Sequence, residues 1–265
     1  ITLTYNGVSS KYEKTAITVQ SMAAAAYNFT VTATDTGGLT GSSTATFTVT
    51  NAPPTVSGCA FAPASGSPAT AGVVLSCTVS DPNGLATIST VTTTDTSGVF
   101  GAAGATINLS YNGVTGKYEK TALTVQSVLP AAYNFTVTAT DTGGLTGSST
   151  ATFTVTNIAP AISACAFTPP SGAPGFTPVR LSCTVTDPNG HADIKSVAAP
   201  DPDGVFGAAP IALTRVGATD VYQSAALTVQ AVAQMTYDFT ATATDFSDAT
   251  SSQSNVQFTD RKSVV

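Results

Sequence analysis

Hydrophobic and polar residues alternate in short runs along this chain, and the clearest run spans residues 133–141. Tyr, Phe, Val and Ala occupy every second position there, with Asn and Thr between them. Successive side chains point to opposite faces of a β-strand, so the pattern predicts a strand with one apolar face and one Thr-covered face. Its predicted partner is residues 151–156, and the glycine-rich segment between the two runs predicts a hairpin turn.

Similar signals precede that hairpin in the chain. They predict strands at 55–61 and 72–80, a turn at 81–84, and a hairpin around Asn112-Gly113 that joins 107–111 to 118–125. Residues 22–26 are rich in Ala, but their counterpart contains Pro130, which would break a helix, so a loop is predicted. About seven short strands without helical periodicity predict a two-sheet antiparallel sandwich.

The pattern repeats itself along the chain. Residues 111–157 reproduce residues 5–51 with six substitutions, and a divergent third copy follows. Near-identical tandem copies of one compact unit are typical of stalks and filaments, and they are an unusual way to build an active site. We therefore expect a first repeat at residues 1–51, a second repeat at residues 52–157 and a third repeat at residues 158–259.

Both ends of the sequence depart from this scheme. Ile1 aligns with Ile107, so the first repeat contains only the later strands of a sandwich. Two interpretations follow: the sequence is part of a longer chain, or a neighbouring subunit donates the missing strands. Residues 260–265 break the repeat abruptly and resemble the translation of a sequencing-adapter stretch, so we expect them to be a non-native tail.

The four cysteines fall into two pairs, Cys59 with Cys77 and Cys165 with Cys183, each 18 residues apart and at the same place in its repeat. One pair per repeat predicts one disulfide per repeat in an oxidising compartment. Pairing of neighbouring strands would bring Cys59 close enough to Cys77 for a bond. Two buried free thiols per repeat are the alternative, and a zinc site would need more ligands than one repeat supplies.

A family resemblance follows from these residues. Residues 129–141 resemble the sixth strand of immunoglobulin-like and fibronectin type III modules, with Tyr133 placed like the tyrosine of their tyrosine corner. The ending TATDTGGLTGSSTATFTVTN is similar to bacterial and archaeal Ig-like, PKD-like and cadherin-like repeats. The resemblance implies an all-β chain of tandem antiparallel Ig-like sandwiches from a large secreted or surface protein. The chain has no Trp, unlike antibody domains, and the choice between Ig, fibronectin and PKD topology stays open.

Composition narrows the possible partners. Charged residues make up 9% of the chain, and the formal net charge is −6. Because no cluster of Lys and Arg is present to displace counterions, we expect no binding to a nucleic-acid backbone. No continuous apolar run is long enough to predict a membrane span.

Candidate chemistry is sparse. His191 is the single histidine, so a Ser/His/Asp site cannot be assembled and we expect no enzyme. Oxygen-rich turns make calcium the candidate ion, although the same residues are good turn formers and the full spacing of an EF-hand loop is missing. The candidate ligands are Asp81, Asn83, Asp187, Asn189, Asp193, Asp201 and Asp203.

The sequence therefore favours a non-catalytic structural or adhesive spacer, outside the cell or at its surface. Its expected partners are other repeats of the same parent chain, and cell-surface glycans or proteins. Short proline-bearing joints at residues 51–54 and 157–160 predict a semi-rigid rod. The alternative is a carbohydrate-binding or accessory module of a large secreted hydrolase, which would need exposed aromatic residues. The candidates are Tyr5, Tyr111, Phe100 and Phe206.

Overall fold

The structure is a computed structural model that describes residues 1–207 and 209–261, and the described residues form β-strands with two short 3-10 helices and no α-helix. The first repeat contains β1 (Thr4–Asn6), β2 (Lys11–Glu13), β3 (Ala25–Thr34) and β4 (Thr40–Val49). The second contains β5 (Thr55–Ala62), β6 (Ser65–Gly66), β7 (Val73–Ser80), β8 (Ile88–Asp95), β9 (Ala105–Asn108), β10 (Ser110–Asn112), β11 (Lys117–Leu123), β12 (Ala131–Asp141) and β13 (Thr146–Val155). The third contains β14 (Ala161–Thr168), β15 (Ser171–Gly172), β16 (Arg180–Thr186), β17 (Ile194–Ala199), β18 (Ile211–Arg215), β19 (Val221–Ser224), β20 (Thr236–Asp245) and β21 (Thr250–Asp260).

Two sheets form the sandwich of the second repeat. One has the order β10-β11-β7-β5 and the other β6-β13-β12-β8-β9. Apart from the short β6, which runs parallel to β13, the paired strands are antiparallel. The predicted fold class, an all-β antiparallel sandwich, is thereby confirmed.

The core of this sandwich consists of the residues that the alternation placed on one face. Val73, Leu75 and Cys77 are buried from β7, and Phe135 and Val137 face them from β12. Four aromatic rings, from Phe61, Phe100, Phe135 and Phe153, pack against one another in the same core. Removing such rows of side chains from water is the main term that stabilises a sandwich of this size.

One predicted strand is divided in the structure. The run 107–111 was expected to be a single strand, but its first part belongs to β9, which pairs with β8, and its last part to β10, which pairs with β11. Leu109 lies between them, buried, with its N–H bonded to the carbonyl of Val91 at 2.9 Å. The chain changes sheet at Leu109, which a continuous alternation cannot reveal.

In the third repeat the equivalent segment is a single strand, which pairs with both neighbouring strands. Here β18 pairs with β17 through Ile211–Leu213 and with β19 through Leu213–Arg215, so eight strands form one continuous sheet. The last strand, β21, includes Asp260, and the N–H of Arg261 bonds to the carbonyl of Gly172 at 2.8 Å. Residues 262–265 of the expected tail lie outside the described residues.

The first repeat consists of two separate hairpins, β1-β2 and β3-β4. Phe29 and Phe47 in β3 and β4 are 47% and 48% exposed, whereas their counterparts Phe135 and Phe153 are 2% and 0% exposed. The near-identical sequence therefore forms the same hairpin, but within residues 1–207 and 209–261 no second sheet covers its apolar face.

Candidate functional site at the joints between repeats

The Asp-Pro-Asn-Gly turn of the second repeat lies against the end of the first repeat. The side-chain amide of Asn83 donates to the carbonyl of Met22 at 2.9 Å and to that of Thr50 at 3.1 Å. Its Oδ1 accepts from the N–H of Ala52 at 2.8 Å. One buried amide thus binds a loop, a strand end and the linker of the joint.

Two further hydrogen bonds complete the first joint. Ser21 Oγ donates to the carbonyl of Pro82 at 2.9 Å, and Asn51 Nδ2 donates to Asp141 Oδ2 at 2.8 Å. Each of these bonds connects the first repeat to the second.

The second joint reproduces the first with equivalent residues. Its five hydrogen bonds are Asn189 Nδ2 to Val128 O at 3.1 Å and to Thr156 O at 3.3 Å, Ile158 N to Asn189 Oδ1 at 2.8 Å, Ser127 Oγ to Pro188 O at 2.6 Å, and Asn157 Nδ2 to Asp245 Oδ2 at 2.7 Å. Because every partner recurs, the joint geometry is a property of the repeat.

The local sequence explains the shape of each turn. Asp81 Oδ1 accepts the N–H of Asn83 at 2.7 Å, and the Asp81 carbonyl accepts the N–H of Gly84 at 2.9 Å. Gly84 has φ 107, a backbone conformation that residues with a Cβ rarely adopt. The aspartate and the glycine fold the turn, and the asparagine between them is left free to contact the neighbouring repeat.

Three buried carboxylates converge beside the second joint. Asp187 follows β16, Asp193 ends a 3-10 helix and Asp245 ends β20. One oxygen from each lies within 4.8 Å of the other two. Loops at one end of the sandwich therefore bring together residues that are far apart in sequence.

Within this acidic cluster (Asp187, Asp193 and Asp245), the surroundings are unfavourable to the charged forms of Asp187 and Asp193. Burial raises the pKa of the Asp187 carboxyl, and the carboxylates of Asp193 and Asp245 raise this pKa further. Burial, followed by the carboxylate of Asp245, raises the pKa of Asp193. Neither of the two ion pairs found among residues 1–207 and 209–261 involves the cluster.

The first joint has the same arrangement with one carboxylate fewer. Asp81 and Asp141 occupy the positions of Asp187 and Asp245, but Thr87 stands in the place of Asp193. The Thr87 hydroxyl donates to the carbonyl of Gly84 at 2.6 Å. Thr87 therefore contributes a satisfied hydroxyl where the second joint has a buried acid.

The other oxygen ligands proposed from the sequence do not join the cluster. The carboxylate of Asp201 accepts from the N–H groups of Val205 and Phe206 at 2.9 and 2.7 Å, so it closes its own loop. Asp203 is exposed, and the amides of Asn83 and Asn189 are used by the joints. Asp245 and Asn157 were not among the ligands predicted from the sequence. The signal for Asp245 is its position at the end of a strand, at the same end of the sandwich as the Asp-Pro-Asn-Gly turn.

The remaining candidates are dispersed. Phe100 and Phe206 pack in the aromatic cores of their repeats, so they form no exposed platform. Tyr5 and Tyr111 are exposed on the short hairpins of the first and second repeats. His191 Nε2 lies 2.7 Å from Asp220 Oδ1, and no serine or cysteine within the described part of the chain is hydrogen-bonded to this imidazole.

Each predicted cysteine pair lies across two neighbouring strands. The sulfur atoms of Cys59 and Cys77 are 2.04 Å apart between β5 and β7, and those of Cys165 and Cys183 are 2.08 Å apart between β14 and β16. Just before Cys59, the register shifts at Gly58, whose φ is 56. A bulge at this point lets the cysteine side chain reach the neighbouring strand.

None of the helical segments that the structure describes has the length and apolar character needed to cross a bilayer.

Comparison with known proteins shows the fold alone. No protein-family model and no curated protein matches this sequence. A solved tetra-tandem repeat from the extending region of a large adhesion protein is similar, with a TM-score of 0.50 and 19% identity, over 96% of this chain and 61% of that chain. The Yersinia pseudotuberculosis adhesin InvE gives a TM-score of 0.42 and 15% identity, over 77% of this chain and 58% of its own. The extracellular cadherin domains 1–4 of protocadherin gamma B7 give a TM-score of 0.35 and 17% identity, over 97% of this chain and 63% of that chain.

Proposed function

We propose that this chain is a non-catalytic spacer, a segment of tandem Ig-like repeats in an extracellular or cell-surface protein. The proposal depends on the joints, because the same five hydrogen bonds recur at each of them and four of the five run from one repeat to the next. Net contributions of about 1 kcal/mol per hydrogen bond are enough, when several act together, to hold one orientation. A spacer needs a fixed orientation between neighbours because a freely jointed chain collapses instead of extending.

The composition supports a place outside the cell. Charged residues are only 9% of the chain, and the solvent face of the central hairpin is covered with Thr and Ser. We propose that both cysteine pairs are oxidised, as secreted proteins allow. The similar tetra-tandem repeat belongs to a large adhesion protein, which agrees with this location.

We further propose that residues 52–157 and 158–259 are separate folding units, with residues 1–51 as the later part of another. One hydrophobic core is drawn from residues 56–155 and a second from residues 162–258, with no residue shared between them. We also propose that residues 260–265 are a non-native tail whose first two residues, Asp260 and Arg261, continue the pairing of β21.

The test of the spacer role removes the joint hydrogen bonds. In a chain with Asn83→Ala and Asn189→Ala, both buried amides are lost, and we expect small-angle scattering to show a broader distribution of shapes than in the unsubstituted chain. The unsubstituted chain should scatter as a single extended particle.

The matched control is Asn134→Ala, which removes an exposed asparagine of β12 that is bonded to Thr152 of the same repeat and takes no part in the hydrogen bonds of either joint. It should scatter like the unsubstituted chain. A compact globular envelope for the unsubstituted chain, or equal flexibility with and without the joint asparagines, would overturn the proposal.

A further inference from the structure

The two joints differ in one chemically decisive residue. They share the turn, the buried asparagine and the carboxylate at the end of the long hairpin strand, but Asp193 replaces Thr87. The replacement adds a third carboxylate to two that are already buried. Three like charges in a site with low solvent access are strongly unfavourable unless a cation compensates them.

Several oxygens at the second joint have no hydrogen-bond partner within the described chain. They are Asp187 Oδ2, Asp193 Oδ2 and Asn157 Oδ1, all buried. Asp193 is only 1% exposed, so bulk water does not reach its carboxyl group. Buried oxygens are nearly always satisfied in folded proteins, so three unpartnered acceptors at the second joint, against one (Asp81 Oδ2) at the first, indicate a missing positive centre.

Asn157 extends the cluster across the joint. Its Nδ2 donates to Asp245 Oδ2 at 2.7 Å, which places the amide against a member of the cluster. The Oδ1 of the same amide is one of the unpartnered oxygens. A residue from the end of the second repeat therefore lies against the carboxylates of the third and has a neutral oxygen without a partner.

The ligand chemistry selects a hard cation. Carboxylate and amide oxygens suit Ca²⁺, whose ligands lie at about 2.3–2.6 Å, so two oxygens on one ion can be up to about 5 Å apart. The carboxylate oxygens of Asp187, Asp193 and Asp245 lie within 4.8 Å of one another, inside that limit. The cluster contains no sulfur or imidazole, which zinc and the softer metals prefer.

We propose that the second joint binds one Ca²⁺ through Asp187, Asp193, Asp245 and the Oδ1 of Asn157, and that the first joint binds none because Thr87 replaces the third carboxylate. The ion ties two loops and a strand end of the third repeat to the last residue of the second. Neighbouring joints of one chain thus differ in their dependence on calcium, although their hydrogen bonds are the same. The binding site does not depend on the spacer role, since a soluble chain of any function would bind the ion equally.

The two repeats supply reciprocal substitutions for the test. After removal of divalent ions with a chelator, the full chain is titrated with CaCl₂ by calorimetry, up to about 10 mM free ion, above the range of weak extracellular calcium modules. The unsubstituted chain should bind one Ca²⁺, the Asp193→Thr chain none and the Thr87→Asp chain two. MgCl₂ in place of CaCl₂ should give weaker binding.

Two controls keep the outcome interpretable. Asp203→Thr removes an exposed acid from the third repeat and should leave one site intact. Asp193→Asn keeps the shape of the side chain and removes its charge, so it should weaken binding even if Asp193→Thr fails to fold. The proposal would be overturned if the folded unsubstituted chain bound no Ca²⁺. It would also be overturned if Asp193→Thr and Asp193→Asn both bound Ca²⁺ as tightly as the unsubstituted chain, or if the Thr87→Asp chain still bound only one ion.

Discussion

Asp260 differs in character from its counterpart in the second repeat. It occupies the position of Val155, a core residue, and is itself 3% exposed. Neither carboxylate oxygen of Asp260 has a hydrogen-bond partner among the described residues. A carboxyl group buried without partners costs free energy that an apolar side chain in the same place would recover.

We expect Asp260→Val to stabilise the third repeat by about 2 kcal/mol, because it replaces an unsatisfied carboxyl group with the side chain that fills this position in the second repeat. Thermal unfolding of the full chain measures the effect. The reciprocal change, Val155→Asp, should destabilise the second repeat by a similar amount. An unchanged or lower melting temperature for Asp260→Val would show that this carboxyl group is satisfied in solution.

At the scale of the element, the edge strand β5 is held to β7 in two ways. Backbone pairing joins them on both sides of the register shift, and Cys59 and Cys77 meet at the shift itself. Phe61 from the same strand fills the centre of the aromatic core. A covalent link here would keep an edge strand, and with it a core ring, in place.

The cysteine pairing predicts a specific loss of stability. We expect Cys59→Ala with Cys77→Ala to lower the free energy of unfolding of the second repeat by about 3 kcal/mol, since a cross-link over 18 residues restricts the unfolded chain. Chemical denaturation with and without a reductant measures this difference. Peptide mapping without reduction identifies the bonded pairs directly.

The third repeat is the internal control for this prediction. Its Cys165–Cys183 pair is untouched by the substitution, so its transition should stay in place until reductant is added. Equal stability of the second repeat in oxidised and reduced chains would show that the two cysteines are free thiols.

At the scale of the whole molecule, the first repeat shows the β3-β4 hairpin without a second sheet, among the described residues, against its apolar face. Val31 is 43% exposed, whereas the equivalent Val137 is 0% exposed. The two hairpins have the same strand register, so the difference comes from the missing packing partner and not from the hairpin itself.

We expect that joining residues 53–106 to the front of Ile1 completes a sandwich, because these residues cover the equivalent face in the second repeat. Binding of a hydrophobic dye should fall, and an additional cooperative unfolding transition should appear. The same addition carrying Leu75→Asp should neither lower dye binding nor add an unfolding transition, since it introduces a charge into the new core. A completed chain that still binds dye as strongly as the original would contradict this prediction.

The sequence by itself determined the strands, their inner faces, the hairpins and the repetition. Each depends on near neighbours: side chains alternate with a period of two residues, and turns need Gly, Asn or Asp at particular positions. The buried face of β7 and the hairpin of β12 with β13 were predictable for this reason. The change of sheet at Leu109 was not, because alternation identifies a buried face without identifying the sheet to which the strand belongs.

Only the tertiary structure decided the chemistry. Asp187, Asp193 and Asp245 come together because three connections end at the same edge of one sandwich, and Asn157 joins them because the preceding repeat ends there. The same turn sequence had two physical interpretations, a metal ligand set or a good turn. The structure assigns the asparagine to the joint and the aspartates to the cluster, because hydrogen bonds and charge act through space between residues that no local pattern connects.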